Sequence, residues 1–196
     1  MQIGAVILGA GFGRRFGTDK RAAKLGDTTV AQATCTRYVD AFPAVRVVLR
    51  VNDTELTQRL TDLGCEIVYC EQAHLGMGHS LASGITNLQW DWAFVGLLDM
   101  PFIRSDTLRQ LQHAAQTAAP SVKVIQPRWL NQGATFTGHP VGFQRRLFAD
   151  IANLSGDQGA KSIVAQYTDQ LVHLDIADPG LVQDIDTPAD LQKFNS

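Results

Sequence analysis

Short, almost wholly apolar runs alternate with helix-forming stretches along the chain, and few folds accommodate that order. Ile3–Leu8 is an uninterrupted apolar run ending at Gly9, as a strand buried on both faces requires. Thr28 to Phe42 lacks glycine and proline and reads as a helix stopped before Pro43. Val45–Val51 (VRVVLRV) is the next strand. Asn52-Asp53-Thr54 caps a helix that carries Leu56, Leu60 and Leu63 on one face and stops at Gly64. Cys65–Tyr69 is a third strand, Leu81, Ile85 and Leu88 recur at helical spacing, and Ala93–Leu98 is a fourth strand running into Asp99-Met100-Pro101. A helix over Ser105–Ala118 and a strand over Val122–Ile125 follow. Beyond them come a turn-rich stretch from Asn131 to Pro140, helix-like Phe143–Asn153 and Ala160–Tyr167, and a strand at Leu171–Leu174. Thr187-Pro188, an N-cap with proline in the first turn, opens the last helix.

Alternating strands and helices with apolar strands predict an α/β fold, a mostly parallel sheet covered by helices on both faces. At 196 residues, without linker, repeat or low-complexity tract, the chain reads as one domain over 1–196. A net charge of -2 argues against a nucleic acid polymer as partner, which needs a broadly basic face. No stretch approaches the roughly 20 apolar residues that cross a bilayer. The run at Ile3–Leu8 has no positive residue before it and is too short for a signal peptide. The expectation is a soluble cytoplasmic protein that does not engage a membrane. Cys35, Cys65 and Cys70 are odd in number and form no CxxC pair, so neither a disulfide framework nor a cysteine zinc site is expected.

Sheets of this kind bind ligands at the carboxyl ends of their strands. After the first strand comes LGAGFGRRFGTDK, residues 8 to 20, and residues 14 to 24 hold five of the 17 basic residues beside a single aspartate. Glycines let backbone N–H groups approach phosphate, and the cations supply charge, which together predict an anion site. Arg14, Arg21 and Lys24 either add field to it or face water. A dinucleotide loop, with Arg50 meeting a 2′-phosphate, is a competing reading, but Arg14 stands where its third glycine belongs; the pattern GxxxxGK[ST] is absent. A plain surface turn leaves the coincidence of glycines and cations unexplained. Asp99, after an apolar strand, is costly without a partner, and a hard cation such as Mg²⁺ resolves that cost. Asp186 follows another short β-like run and is a second candidate ligand, with Asp184 its rival. Gly76 and Gly78 free the backbone to meet a flat base edge, and Ser80 adds a hydroxyl near a helix N-terminus. His79 and His139 read as polar lining, and Lys161 as a contact to an acidic acceptor or a solvated helix lysine.

The loop LGAGFGRRFGTDK resembles the signature of the MobA-like nucleotidyltransferases, roughly LA[AG]GxxxR[MF]GxxK, with Gly9 in place of the usual alanine. Five further segments are similar to that family in the same order: GMGHSL at 76–81, LDMPFI at 98–103, GHPV at 138–141, SGDQGAK at 155–161 and DIDTPADL at 184–191. The later segments point toward the branch that cytidylylates the molybdenum cofactor.

The resemblance implies a three-layer α/β/α sandwich with a Rossmann-like, mostly parallel mixed sheet, of the nucleotide-diphospho-sugar transferase type. It implies a Mg²⁺-dependent transfer of a nucleoside monophosphate to a small phosphorylated acceptor. Arg15, Lys20 and Asp99 fall on catalytic positions. Leu8, Gly9, Ala10, Gly11, Gly13, Lys20, Gly76, Gly78 and Ser80 fall on the nucleotide side, His139, Asp157 and Lys161 on the acceptor side, and Asp99 with Asp186 on the metal. Ala10, where guanylyl-transferring relatives tend to carry glycine, favours CTP over GTP, and molybdopterin becomes the expected acceptor, with a molybdoenzyme or its chaperone as possible partner. Guanylyl transfer and transfer to a sugar phosphate or another small phosphate remain alternatives, as do an NADP-binding oxidoreductase and a non-catalytic nucleotide-binding partner of a molybdoenzyme.

Overall fold

The computed structural model describes residues 1–12, 16–157 and 159–195. In chain order the strands are β1 (Ile3–Leu8), β2 (Lys24–Leu25), β3 (Thr28–Thr29), β4 (Val45–Leu49), β5 (Glu66–Tyr69), β6 (Trp92–Leu97), β7 (Val124–Asn131), β8 (Ala134–Thr137), β9 (Val141–Gln144) and β10 (Leu171–Asp175). The helices are α1 (Val30–Val39), α2 (Thr54–Asp62), α3 (Met77–Ile85), α4 (Ser105–Thr117), α5 (Phe148–Ala152), α6 (Lys161–Gln166) and α7 (Pro188–Asn195).

An eight-stranded sheet runs in the order β10-β7-β9-β6-β1-β4-β5, with β8 paired to β7. β5, β4, β1 and β6 are mutually parallel, whereas β9 runs antiparallel to both β6 and β7. The period of two along each central strand divides its side chains between two cores. Ile3, Ala5 and Ile7 of β1, with Trp92 and Phe94 of β6, face a core built with α1, α2 and α4. Val6 and Leu8, with Ala93 and Val95, face one built with α3, α5 and α6. Both faces are covered, which is why the strands read as unbroken apolar runs. The result is the expected three-layer sandwich around a mostly parallel mixed sheet.

Gly96 and Gly84 permit the close packing of the layers. A Cβ on Gly96 would stand 2.2 Å from the Tyr38 hydroxyl of α1, and one on Gly84 would stand 2.6 Å from Val6.

Two segments differ from the sequence reading. Residues 131 to 140, read as turns, contain β8, which forms a hairpin with β7. Its residues are exposed on both faces, so no hydrophobic period marks it. Residues 143 to 153, read as a helix, begin as β9, and only Phe148–Ala152 is α-helical. Phe143, Leu147 and Ile151 are all buried in one core and lie four residues apart, which imitates a helical stripe across a strand, a turn and a short helix. Smaller shifts end the second strand at Leu49 and start the first helix at Val30, with the Thr29 hydroxyl capping the Gln32 amide.

Candidate active site

The chain passes from β1 outward to β4 and β5, then crosses back to β6 on the other side of β1. Leu8 and Leu97 are register partners, so the segments after these two strands leave the sheet side by side at the topological switch point, where such sheets bind ligands. A cleft of about 630 Å³ opens there. Its walls bring together Leu8, Gly9, Ala10, Gly11, Lys20, Gly76, Ser80, Asp99, Asp157 and Asp186, joined by Asp184. Gly13 and Arg15 lie outside the described residues.

Asp99 sits two residues beyond β6, with its side chain 18% exposed. The Ile185 amide donates to the Asp99 carbonyl at 2.9 Å, and the buried Ile185 side chain packs with Phe16 and Val30. Anchored there, this segment brings Asp184 and Asp186 beside Asp99, and ligand oxygens of the three carboxylates lie within 4.8 Å of one another. Thr187 and Asp190 cap α7 reciprocally: each accepts a bond from the other's backbone amide, at 2.9 and 3.2 Å, and the hydroxyl donates to the carboxylate. The capping work therefore falls to them, and the Asp186 carboxylate accepts from Lys20 instead.

Lys20 lies in the 3-10 turn Lys20–Ala22 and sends its ammonium to Asp99 Oδ2 at 2.6 Å and Asp186 Oδ1 at 2.7 Å. Burial alone would lower its pKa, but the hydrogen bonds and charges of Asp186 and Asp99 outweigh it, and the pKa is raised. Asp184 is pushed above the usual carboxylate value, first by burial and then by the charges of Asp186 and Asp99. Asp99 Oδ1 is buried without a hydrogen-bond partner among the described residues. Three hard carboxylate donors, two of which share one lysine, with one oxygen unpartnered, fit a divalent cation such as Mg²⁺ or Mn²⁺.

Arg21 also lines the cleft but is held by different partners from its neighbour Lys20. It is 3% exposed, and its guanidinium donates to the Gly9 carbonyl at 2.7 Å, to Asp19 at 2.5 and 2.8 Å, and to Asp53 at 2.5 and 2.8 Å. The sequence reading had Arg21 adding field or facing water; it does not face water, but lines the cleft and ties the glycine loop to the start of α2. Asp53 precedes α2 but makes no side-chain cap bond, because Arg21 and Arg50 occupy its carboxylate. No helix opens in the described residues between Leu8 and Lys20, so those residues do not offer the helix N-terminus that a dinucleotide fold places under a pyrophosphate.

Gly78, His139 and Lys161 do not line the cleft. The Gly78 amide donates to the Gly156 carbonyl at 2.8 Å, and a Cβ on Gly78 would stand 2.8 Å from backbone atoms of Ser155. Gly76, at φ 127°, meets Gly156 in the same way, so this link lets two loops touch. His139 lies within electrostatic reach of Asp99 and Asp184. Burial lowers its pKa against the opposing effects of the Val95 backbone and Asp99, and its Nδ1 has no partner among the described residues. Lys161 is exposed at the start of α6. Sequence reasoning missed Leu75 and Met77, both 48% exposed on the cleft rim, although they flank the quoted Gly76. No helix among the described residues is long and apolar enough to cross a membrane.

Residues 5–171 match the model of the MobA-like NTP transferase domain. No curated protein matches the sequence. Among solved structures the chain is similar to Rv0371c of Mycobacterium tuberculosis H37Rv, at 26% identity and a TM-score of 0.84 over 99% of this chain and 97% of that one. A manganese complex of Rv0371c superposes at a TM-score of 0.80, 24% identical over 99% of this chain and 98% of that one. A nucleotidyl transferase from Methanothermobacter, 22% identical, superposes at 0.79 over 99% and 96%. The match across most of the chain, together with the glycine loop and carboxylates at the switch point, places this protein in the MobA-like NTP transferase domain family, as a nucleotidyltransferase.

Proposed function

We propose that the chain acts over 1–196 as a cytidylyltransferase that moves CMP from CTP to the terminal phosphate of a molybdopterin-type acceptor and releases pyrophosphate. The observation that carries the reading is the placement of Lys20 between Asp99 and Asp186 at the mouth of the glycine loop. A cation for the triphosphate and two carboxylates for a metal converge there on one cleft. The choice of CTP rests on Ala10, 1% exposed at the cleft, where guanylyl-transferring relatives tend to carry glycine. The choice of acceptor rests on the resemblance of residues 98–103, 138–141, 155–161 and 184–191 to the molybdenum cofactor branch.

In this mechanism an oxygen of the acceptor phosphate attacks the α-phosphorus in line. The new P–O bond forms as the bond to the β-phosphate oxygen breaks, and the electron pair leaves with pyrophosphate. A phosphate nucleophile needs no strong general base near neutral pH, so positioning and charge neutralisation carry the step. Lys20 neutralises charge growing on the leaving group. Gly11, whose added Cβ would meet none of the described residues within 4 Å, lets phosphate approach the main chain. Arg15 is assigned beside Lys20 on the triphosphate. Ser80 and Gly76 face the base, and Asp157 with the more distant His139 and Lys161 serves the acceptor side. Asp99 and Asp186 would hold Mg²⁺, which when bound polarises the α-phosphoryl group. The reaction takes place in the cytoplasm, where a molybdoenzyme or its chaperone would receive the product.

The test is pyrophosphate release measured for four nucleoside triphosphates against molybdopterin, sugar 1-phosphates and phospholactate, with Mg²⁺ or Mn²⁺. CTP with molybdopterin is expected to be the fastest pair. A faster pair elsewhere in the matrix reassigns base or acceptor, and silence throughout sinks the reading.

A further inference from the structure

β10 ends the sheet on the side away from β5, and its outer edge is open. Gln170 accepts a backbone bond from Lys123 and Ile176 donates one to Arg128, so the even-numbered residues of this stretch turn their amides toward β7. The odd-numbered residues turn theirs outward. The Leu171 amide is spent on Thr168, in the turn before the strand. The backbone N–H and C=O groups of His173 and Asp175 take no bond among the described residues. Natural edges are blunted by lysine, proline or a bulge, and Leu171–Asp175 carries none of these. Val172 is 41% exposed, and His173 beside it is exposed as well. Arg128 reaches Asp175 from β7 at 2.7 Å, through Oδ1 alone among the described residues.

We infer that β10 is a self-pairing edge, along which a second copy of this chain docks antiparallel about a two-fold axis at Leu174. The free groups and the charges together fix the axis. Centred on Leu174, the pairing sets His173 opposite Asp175 of the second copy, and symmetry makes this happen twice. Each such pair exchanges both of its backbone bonds, so four new bonds take up every free group of the two residues. The imidazole there meets the carboxylate whose second oxygen Arg128 leaves open. On the other face Leu174 meets its own copy, and Val172 meets Ile176 of the second copy. Leu174 and Ile176 already pack in the core shared with α4, so the apolar face continues across the axis. An axis at His173 would instead oppose two imidazoles and call on the Leu171 amide, which is taken. The far edge of the sheet lacks this complementarity. Pairing β5 about Val68 would set Ile67 against Tyr69, and would set Glu66, already held by Arg46, against Cys70. β7, β9 and β6 separate β10 from the switch point, so the contact lies apart from the cleft and does not depend on its chemistry.

The test is sedimentation equilibrium of the full chain over a range of concentrations, with cooperative thermal unfolding checked for every variant. A contact between two short strands is small, so the dimer belongs to the weak, concentration-dependent class. The wild-type mass is expected to rise from 21.4 kDa toward twice that value as the concentration increases. His173→Glu and Asp175→Lys each destroy both opposite-charge pairs, and each should weaken association on the order of tenfold. An equal mixture of the two variants should recover association near the wild-type strength. In the mixed dimer the introduced carboxylate faces the introduced ammonium at one place, and the native pair is kept at the other. His173→Pro removes an outward N–H that β7 does not use, and should abolish association while leaving the fold intact. A wild-type chain that stays at 21.4 kDa throughout overturns the inference. So do variants that associate as well as wild type, and a mixture no tighter than either variant alone.

Discussion

On one side of the cleft, the glycine loop and Asp99 leave adjacent parallel strands at the centre of the sheet, with Leu8 and Leu97 in register beneath them. On the other side, Asp157, Asp184 and Asp186 come from irregular segments that are held at the cleft through individual backbone bonds. Gly78 donates to Gly156, His139 to Leu181, and Ile185 to Asp99. The strand-end side inherits its geometry from two buried cores, whereas the tethered side depends on close contacts between loops. Chemistry that tolerates little displacement belongs on the first side. The second side is free to vary with the acceptor.

The sharpest way to break this contrast is to change the strand-end charges. Asp99→Asn and Lys20→Ala should each lower kcat for pyrophosphate release by about 10²–10³, the usual effect of removing one preorganised electrostatic group. Both variants should keep cooperative thermal unfolding. A loss of less than about tenfold in either variant, in folded protein, would show that the chemistry is held elsewhere.

Arg21 probes stability on the same side. Arg21→Met keeps much of the side chain's bulk but leaves the Gly9 carbonyl without its guanidinium partner and the Asp53 carboxylate with Arg50 alone. Removing one member of a buried ion pair costs about 3 kcal/mol or more, so the urea midpoint should fall clearly. The KM for the triphosphate should rise more than kcat falls, because the loop is displaced while Lys20 and Asp99 remain. An unchanged urea midpoint would mean that Arg21 does not support the loop.

Glycine substitutions compare the two sides directly. Gly78→Ala forces a methyl to within 2.8 Å of Ser155 backbone, so the loops must separate and the acceptor KM should rise. Gly11→Ala meets none of the described residues within 4 Å and should leave the melting temperature unchanged while raising the triphosphate KM, if phosphate approaches there. The pair of melting curves and the two KM values check this; identical behaviour would erase the distinction between a glycine needed for packing and one needed for a ligand.

The same contrast explains what could be read without coordinates. The central strands announced themselves because burial on both faces leaves no polar position, and Asp99 stood out against that background. The tethered side was harder. β8 is exposed throughout and has no period, and Phe143, Leu147 and Ile151 share helical spacing while belonging to three different elements. Arg21 was misread for another reason. Its partner Asp53 lies 32 residues away, and a cation in a basic run looks solvated until the fold brings that carboxylate over it.

The smallest expected effect falls on Asp184, the carboxylate of the trio for which no bond to Lys20 is seen. Its pKa is raised, first by burial and then by the negative charges of Asp186 and Asp99. A carboxyl whose folded value is raised stabilises the fold at pH below its ordinary value of 3.8, and that contribution is lost as pH rises through the folded value. Asp184 is exposed, so solvent screens this crowding, and at neutral pH the ionised group opposes folding only weakly. Asp184→Asn should raise the melting temperature at pH 7, and the difference from wild type should shrink toward nil as the pH is lowered through the carboxyl range. With Asp186 as the second metal ligand, the variant should also retain most of its turnover. A fall in kcat as deep as that of Asp99→Asn would transfer the ligand role to Asp184. A melting difference that ignores pH would show that the crowding of charge around it has been overstated.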